Sequence, residues 1–152
     1  MSKNDLSEQI LDSWLKMSAI LKNERLVKAL TFQEVFVCNI LTANRKKGQR
    51  TTASDIASIT GMLKSQVNKV LVTMEKKELI TRTRATEDQR VIWIEITKAG
   101  VAKYKEEHSR VLGIMESLVD SMGESAQGLA DGLAKAVRVM DSIEFAEQFK
   151  VK

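Results

Sequence analysis

The stretch "ATEDQRVIWIEITKAG", residues 85–100, decides the fold. A polar loop runs directly into Val91-Ile92-Trp93-Ile94-Glu95-Ile96, and Ile92, Ile94 and Ile96 fall on alternate positions, the period of a strand with one buried face. Upstream, "LITRTR" (79–84) is also rich in β-formers, so the two runs read as a hairpin around "ATEDQ". Thr97 then stands where a helix N-cap is wanted. Beyond it Val101, Tyr104, His108, Val111 or Leu112, Met115, Leu118 or Val119, and Met122 form the apolar stripe of a long helix that Gly123 ends.

Working outward, the chain before the hairpin reads as helices. "MLKSQVNKVLVTMEKKELI" (62–80) puts Val67, Val70 or Leu71, and Met74 on one face and Ser65, Gln66, Lys69 and Thr73 on the other. Just upstream, "TTASDIASITG" (51–61) is a short helix capped by Thr52, answered by Asp55 and closed by Gly61. Two helices joined by a short glycine-containing turn, the second offering amides, hydroxyls and lysine to solvent, have the outline of a helix-turn-helix. "TFQEVFVCNILTANRKK" (31–47) is another helix, capped by Thr31 with Glu34 and ending in a basic last turn before Gly48. Leu6, Ile10, Trp14, Met17 and Leu21, widened by Leu11 and Leu15, mark a first helix through about Leu30. Leu129, Leu133, Val137, Met140 and Ile143 mark a last one.

The totals agree. A chain of 152 residues without proline and with only seven glycines has little to break helices, and it fits one domain or a compact core with added helices. Its longest apolar runs are four residues, far short of the roughly 20 that span a bilayer. "MSKNDLSEQ" lacks the apolar centre of a secretion signal, and one cysteine makes no internal disulfide, so a cytoplasmic location is expected. Residues 43–93 hold eleven lysines and arginines against five acids, whereas the rest holds thirteen against fifteen. A basic middle of that kind suits a polyanionic partner.

With these elements in place, residues 31–100 resemble the winged helix-turn-helix core of the MarR family of transcriptional regulators. The most specific match is Asp88-Gln89-Arg90, five residues, then Ile96-Thr97-Lys98-Ala99-Gly100, which fits the pattern D-x-R, five residues, L/I-T-x-x-G. The expected fold class is therefore mainly α with a small β-hairpin wing. Residues 31–100 would be the DNA-binding core, and 1–30 and 101–152 the helical dimerisation region. The resemblance implies a triangular homodimer, a regulator and not an enzyme, acting as a ligand-responsive repressor on a pseudo-palindromic operator in double-stranded DNA. One residue departs from the pattern: Glu78 stands where relatives commonly have a glycine ending the recognition helix, so the helix either exits differently or strains Glu78 by about 1 kcal/mol.

Phosphates supply most affinity and base edges most selectivity. Lys64, Lys69 and Lys76 are candidates for backbone charge, and Ser65, Gln66, Asn68 and Lys69, in the first two turns of the helix, for base contacts. On the hairpin, Arg90 is the candidate for the minor groove, with Asp88 expected to hold its guanidinium, and Arg82 and Arg84 for neighbouring phosphates. The resemblance also implies a small aromatic or phenolic effector, with Trp14, Met17, Tyr104 and His108 as candidate lining. His108 and Cys38 are too few to build a metal site, and no cofactor is expected. Two alternatives remain: a winged-helix protein-assembly module without DNA binding, for which the basic middle would be superfluous, and a redox-sensing regulator working through Cys38.

Overall fold

A computed structural model describes residues 1–22, 29–142 and 147–148. Among the described residues, six helices and one hairpin appear in the expected order: α1 (Lys3–Lys22), α2 (Phe32–Lys46), α3 (Ala53–Thr60), α4 (Lys64–Lys76), β1 (Ile80–Arg84), β2 (Ile92–Ile96), α5 (Lys98–Met122) and α6 (Ser125–Met140). The expected run of the first helix to about Leu30 falls mainly outside the described residues, and Ala29 and Leu30 themselves lie in a bend. Ile143 is likewise outside them. The chain divides into two compact units, 1–111 and 112–152.

In the first unit, local chemistry sets the helix limits. Thr31 and Glu34 form a complete capping box on α2, as do Thr52 and Asp55 on α3; each cap typically contributes about 1 kcal/mol. Gly61 leaves α3 with φ +73°, the left-handed exit that glycine takes without a Cβ penalty. Along α4, Val67, Leu71 and Met74 are buried; of the alternatives Val70 and Leu71, the fully buried one is Leu71. These side chains join Val37, Cys38, Ile40 and Leu41 of α2, Ile56 of α3, and Leu79, Ile80, Ile94 and Ile96 of the hairpin in one core.

β1 and β2 pair antiparallel, with Ile80 opposite Ile96, Arg82 opposite Ile94 and Arg84 opposite Ile92. Ile94 also donates its N–H to the Thr51 carbonyl at 2.8 Å, so a single-residue antiparallel bridge places Thr51 beside β2. Thr51 is buried, and its hydroxyl accepts from the Asn44 amide at 2.9 Å. Isolated bridges carry no periodicity, so the sequence pattern is blind to this one.

The L/I-T-x-x-G stretch has a direct packing explanation. The Thr97 hydroxyl accepts from Gly100 N–H (3.0 Å), capping α5, and donates to the Glu78 carbonyl (2.7 Å). Thr97 N–H in turn binds the Leu79 carbonyl at 3.0 Å. A Cβ on Gly100 would overlap that Leu79 oxygen and crowd Ile96 Cγ1 at 2.8 Å, so only glycine lets α5 start here. In the second unit α6 has no buried residue and exposes Leu129, Leu133, Val137, Val139 and Met140. No helix among the described residues is long and apolar enough to cross a membrane.

Candidate nucleic-acid interface

The geometry of the site begins at the start of α4. Leu63, its N-cap, adopts extended backbone (φ −64°, ψ 145°) and provides no side-chain cap. Gln66 Oε1 makes only the reciprocal bond of a capping box, accepting from Leu63 N–H at 3.0 Å. A glutamine pairing bidentately with adenine needs both its oxygen and its amide, so Gln66 is half committed to holding the helix end. Lys64, Ser65, Asn68 and Lys69 are exposed on the same two turns, and Lys76 is exposed at the far end of α4.

The helix leaves through Glu78, whose φ of +61° is the sole positive value of a non-glycine residue among the described residues. Glu78 N–H reaches the Glu75 carbonyl and Leu79 N–H the Met74 carbonyl, both at 3.0 Å. That pair of bonds is a Schellman exit with glutamate in the position that favours glycine. Of the two outcomes anticipated for Glu78, the strained one is realised.

The hairpin loop is built differently from the expectation for Asp88. Its Oδ1 accepts from the backbone N–H of Arg90 at 3.0 Å, and its carbonyl accepts from Val91 N–H at 3.0 Å. Asp88 therefore shapes the turn and does not clamp the Arg90 guanidinium, which has no carboxylate partner among the described residues. The physical reason is reach: an Asx turn over two residues satisfies a backbone donor at small entropic cost. Arg84 Nη1 donates to the Gln89 carbonyl at 2.7 Å, bracing the loop from the opposite strand.

Arg82 also differs from a free phosphate ligand. Its Nε and Nη2 donate to Glu75 Oε2 and Oε1 at 3.1 and 2.9 Å, a bidentate pair between β1 and the last turns of α4. The hydrogen bonds from Arg82 hold the Glu75 carboxyl below its usual range, and the carboxylate raises Arg82 in return. Sequence reading missed this pair because seven residues and a change of element separate its members. It also missed Arg50, whose guanidinium lies 5.3 Å from the Trp93 ring centroid. Inside, Glu34 is buried and receives Lys77 Nζ at 2.8 and 2.9 Å and Thr31 N–H at 3.0 Å.

The effector candidates separate. Tyr104 and His108 lie with rings 5.8 Å apart and line an apolar cavity of about 230 Å³ with Leu21, Phe32, Phe36 and Val111. The Tyr104 hydroxyl accepts from the Asn39 amide at 2.7 Å. Trp14 and Met17 are exposed and line neither this cavity nor the neighbouring one bounded by Lys46, Lys105 and Ser109. Cys38 is fully buried, and burial, aided by the nearby Glu34 charge, pushes its thiol up to about 12. A thiolate is the reactive form, so Cys38 is poorly suited to redox sensing.

A helix-turn-helix, a basic hairpin on the second helix's exit, and long apolar helices define a winged-helix regulator. Solved structures share the arrangement. The YusO protein of Bacillus subtilis is 25% identical, with 93% of this chain and 100% of that chain aligned at a TM-score of 0.63. MepR, a transcription regulator of the Staphylococcus aureus multidrug efflux pump MepA, is 20% identical over 93% and 100% with a TM-score of 0.65. The transcriptional regulator BldR from Sulfolobus solfataricus is 23% identical over 91% and 99% with a TM-score of 0.69. No curated protein matches the chain. Residues 17–106 match the sequence profile of the family described as transcriptional regulator SarA/Rot. The chain belongs to that family of transcriptional regulators, and the MarR-type winged fold expected from the sequence is borne out.

Proposed function

We propose that the protein is a homodimeric, sequence-specific repressor that binds a pseudo-palindromic operator through residues 31–100, with 1–30 and 101–152 forming the dimer. The observation that carries this reading is the pairing of two exposed cationic elements in one unit: α4 with Lys64, Ser65, Asn68 and Lys69, and the loop with Arg90. α4 enters the major groove by its first two turns, Gln66 contributing its free amide, while Arg90 extends from the Asp88 turn toward the minor groove. Arg84 braces the loop and adds to the local positive field, as does Arg82 through its strut with Glu75. A two-fold dimer would present its α4 helices about 34 Å apart, one helical turn of DNA.

The same reading assigns the Tyr104–His108 cavity to a small aromatic or phenolic effector, which would release DNA by preferring one spacing of the two reading heads. Selection of duplexes from a random pool at stepped salt tests the whole: enrichment of a palindrome with half-sites one turn apart is expected, and no enrichment at low salt refutes it. Arg90→Ala isolates the wing. Its expected effect is weaker binding, with the slope of log affinity against log salt reduced by about one per subunit; an unchanged slope would mean that Arg90 does not meet a phosphate.

A further inference from the structure

Leu63 combines two local disadvantages at one position. It occupies the N-cap of α4, where Ser, Thr, Asp or Asn would satisfy a free N–H, and it makes no side-chain cap hydrogen bond. It is also 68% exposed, although its immediate predecessor Met62 packs against the core. A single exposed leucine on an ordinary surface needs no explanation. This one heads the helix assigned to the major groove and is followed at once by Lys64 and Ser65. Positions where local rules are broken without a packing gain tend to be functional.

The backbone around Leu63 is held in place: Gln66 Oε1 fixes its N–H, and the Leu63 carbonyl accepts from Val67 N–H at 3.0 Å, the first helical bond of α4. A branched apolar side chain presented from a fixed backbone at the head of a reading helix has one matching feature in the major groove, the C5-methyl of thymine. We infer that Leu63 reads a thymine methyl in each half-site. This rests on the DNA-binding reading above and assigns one of its base contacts to a residue that hydrogen-bonding chemistry would pass over.

The test removes one methyl at a time. Each thymine of a selected half-site is replaced by deoxyuridine, which keeps every hydrogen-bonding group and lacks only the C5-methyl. Burial of one methyl corresponds to about 0.8 kcal/mol, hence a loss of about fourfold in affinity per half-site. We expect that loss at one thymine for the natural chain and none for Leu63→Ala. Leu63→Ser separates the role from folding: it should raise the denaturant midpoint by restoring a cap and still abolish the thymine–uracil difference. Half-sites with no invariant thymine, tolerance of uracil at every position, or an undiminished difference in Leu63→Ala would each overturn the inference while leaving DNA binding intact. Failure to select any duplex would instead remove the DNA-binding reading and this inference with it.

Discussion

Glu78 and Gly100 are joined through the Thr97 hydroxyl, which donates to the Glu78 carbonyl and accepts from Gly100 N–H, and they solve opposite problems. Glu78 holds a left-handed conformation that disfavours a side chain by about 1–2 kcal/mol, whereas glycine in its place would lose about 0.5–1 kcal/mol through the freer unfolded chain. The first effect is the larger, so Glu78→Gly should stabilise the protein by roughly 0.5–1 kcal/mol, read from the denaturant midpoint. At Gly100 the obstacle is a backbone carbonyl, that of Leu79, already pinned by Thr97 N–H. Backbone held in that way yields little, and Gly100→Ala is expected to lose about 2–3 kcal/mol in the same measurement. A neutral Gly100→Ala would show that α5 can start in another register.

At the scale of elements, the Arg82–Glu75 pair joins β1 to the end of α4, so helix and wing are tied by side chains as well as by the chain. The sign of its pH dependence follows from the depressed Glu75 carboxyl: the pair is intact above the ordinary carboxylate range and is lost as pH falls through and below it. Glu75→Gln imposes that loss at neutral pH. Arg82 is then released to a phosphate, and the salt slope of DNA binding should steepen by about one per subunit. A slope equal to that of the natural chain would identify Arg82 as a strut alone. The reading helix, the hairpin and the capping boxes were legible because their signals are local: a period of two or 3.6, or a hydroxyl three residues from a carboxylate. The Arg82–Glu75 pair and the Thr51 bridge were not, since nothing in the intervening residues marks them.

At the scale of the whole molecule, the described apolar residues outnumber what the first unit's core takes in. Ile10 and Trp14 on α1 are 61% and 55% exposed, and Val137 on α6 is 65% exposed. A second copy is the occupant we propose for these faces. Val137→Glu would place a charge within such an interface and is expected to give a monomer by sedimentation, with operator affinity falling at least tenfold as two-site binding is lost. A Val137→Glu chain that still sediments as a dimer would place the interface elsewhere.

What residues 1–152 determined unaided was the order and kind of every described element, the N-caps of α2, α3 and α5, and the basic character of residues 43–93. Each of these depends on neighbours within a few positions. Tertiary structure alone decided that Thr51 bridges to Ile94, that Lys77 reaches Glu34, and that Tyr104 and His108 share a cavity without Trp14 and Met17. It also decided why position 100 must be glycine, because the Leu79 oxygen that excludes a side chain comes from 21 residues earlier. Side-chain partners are chosen by distance in space, and a polar group accepts whichever donor the packed backbone brings within reach.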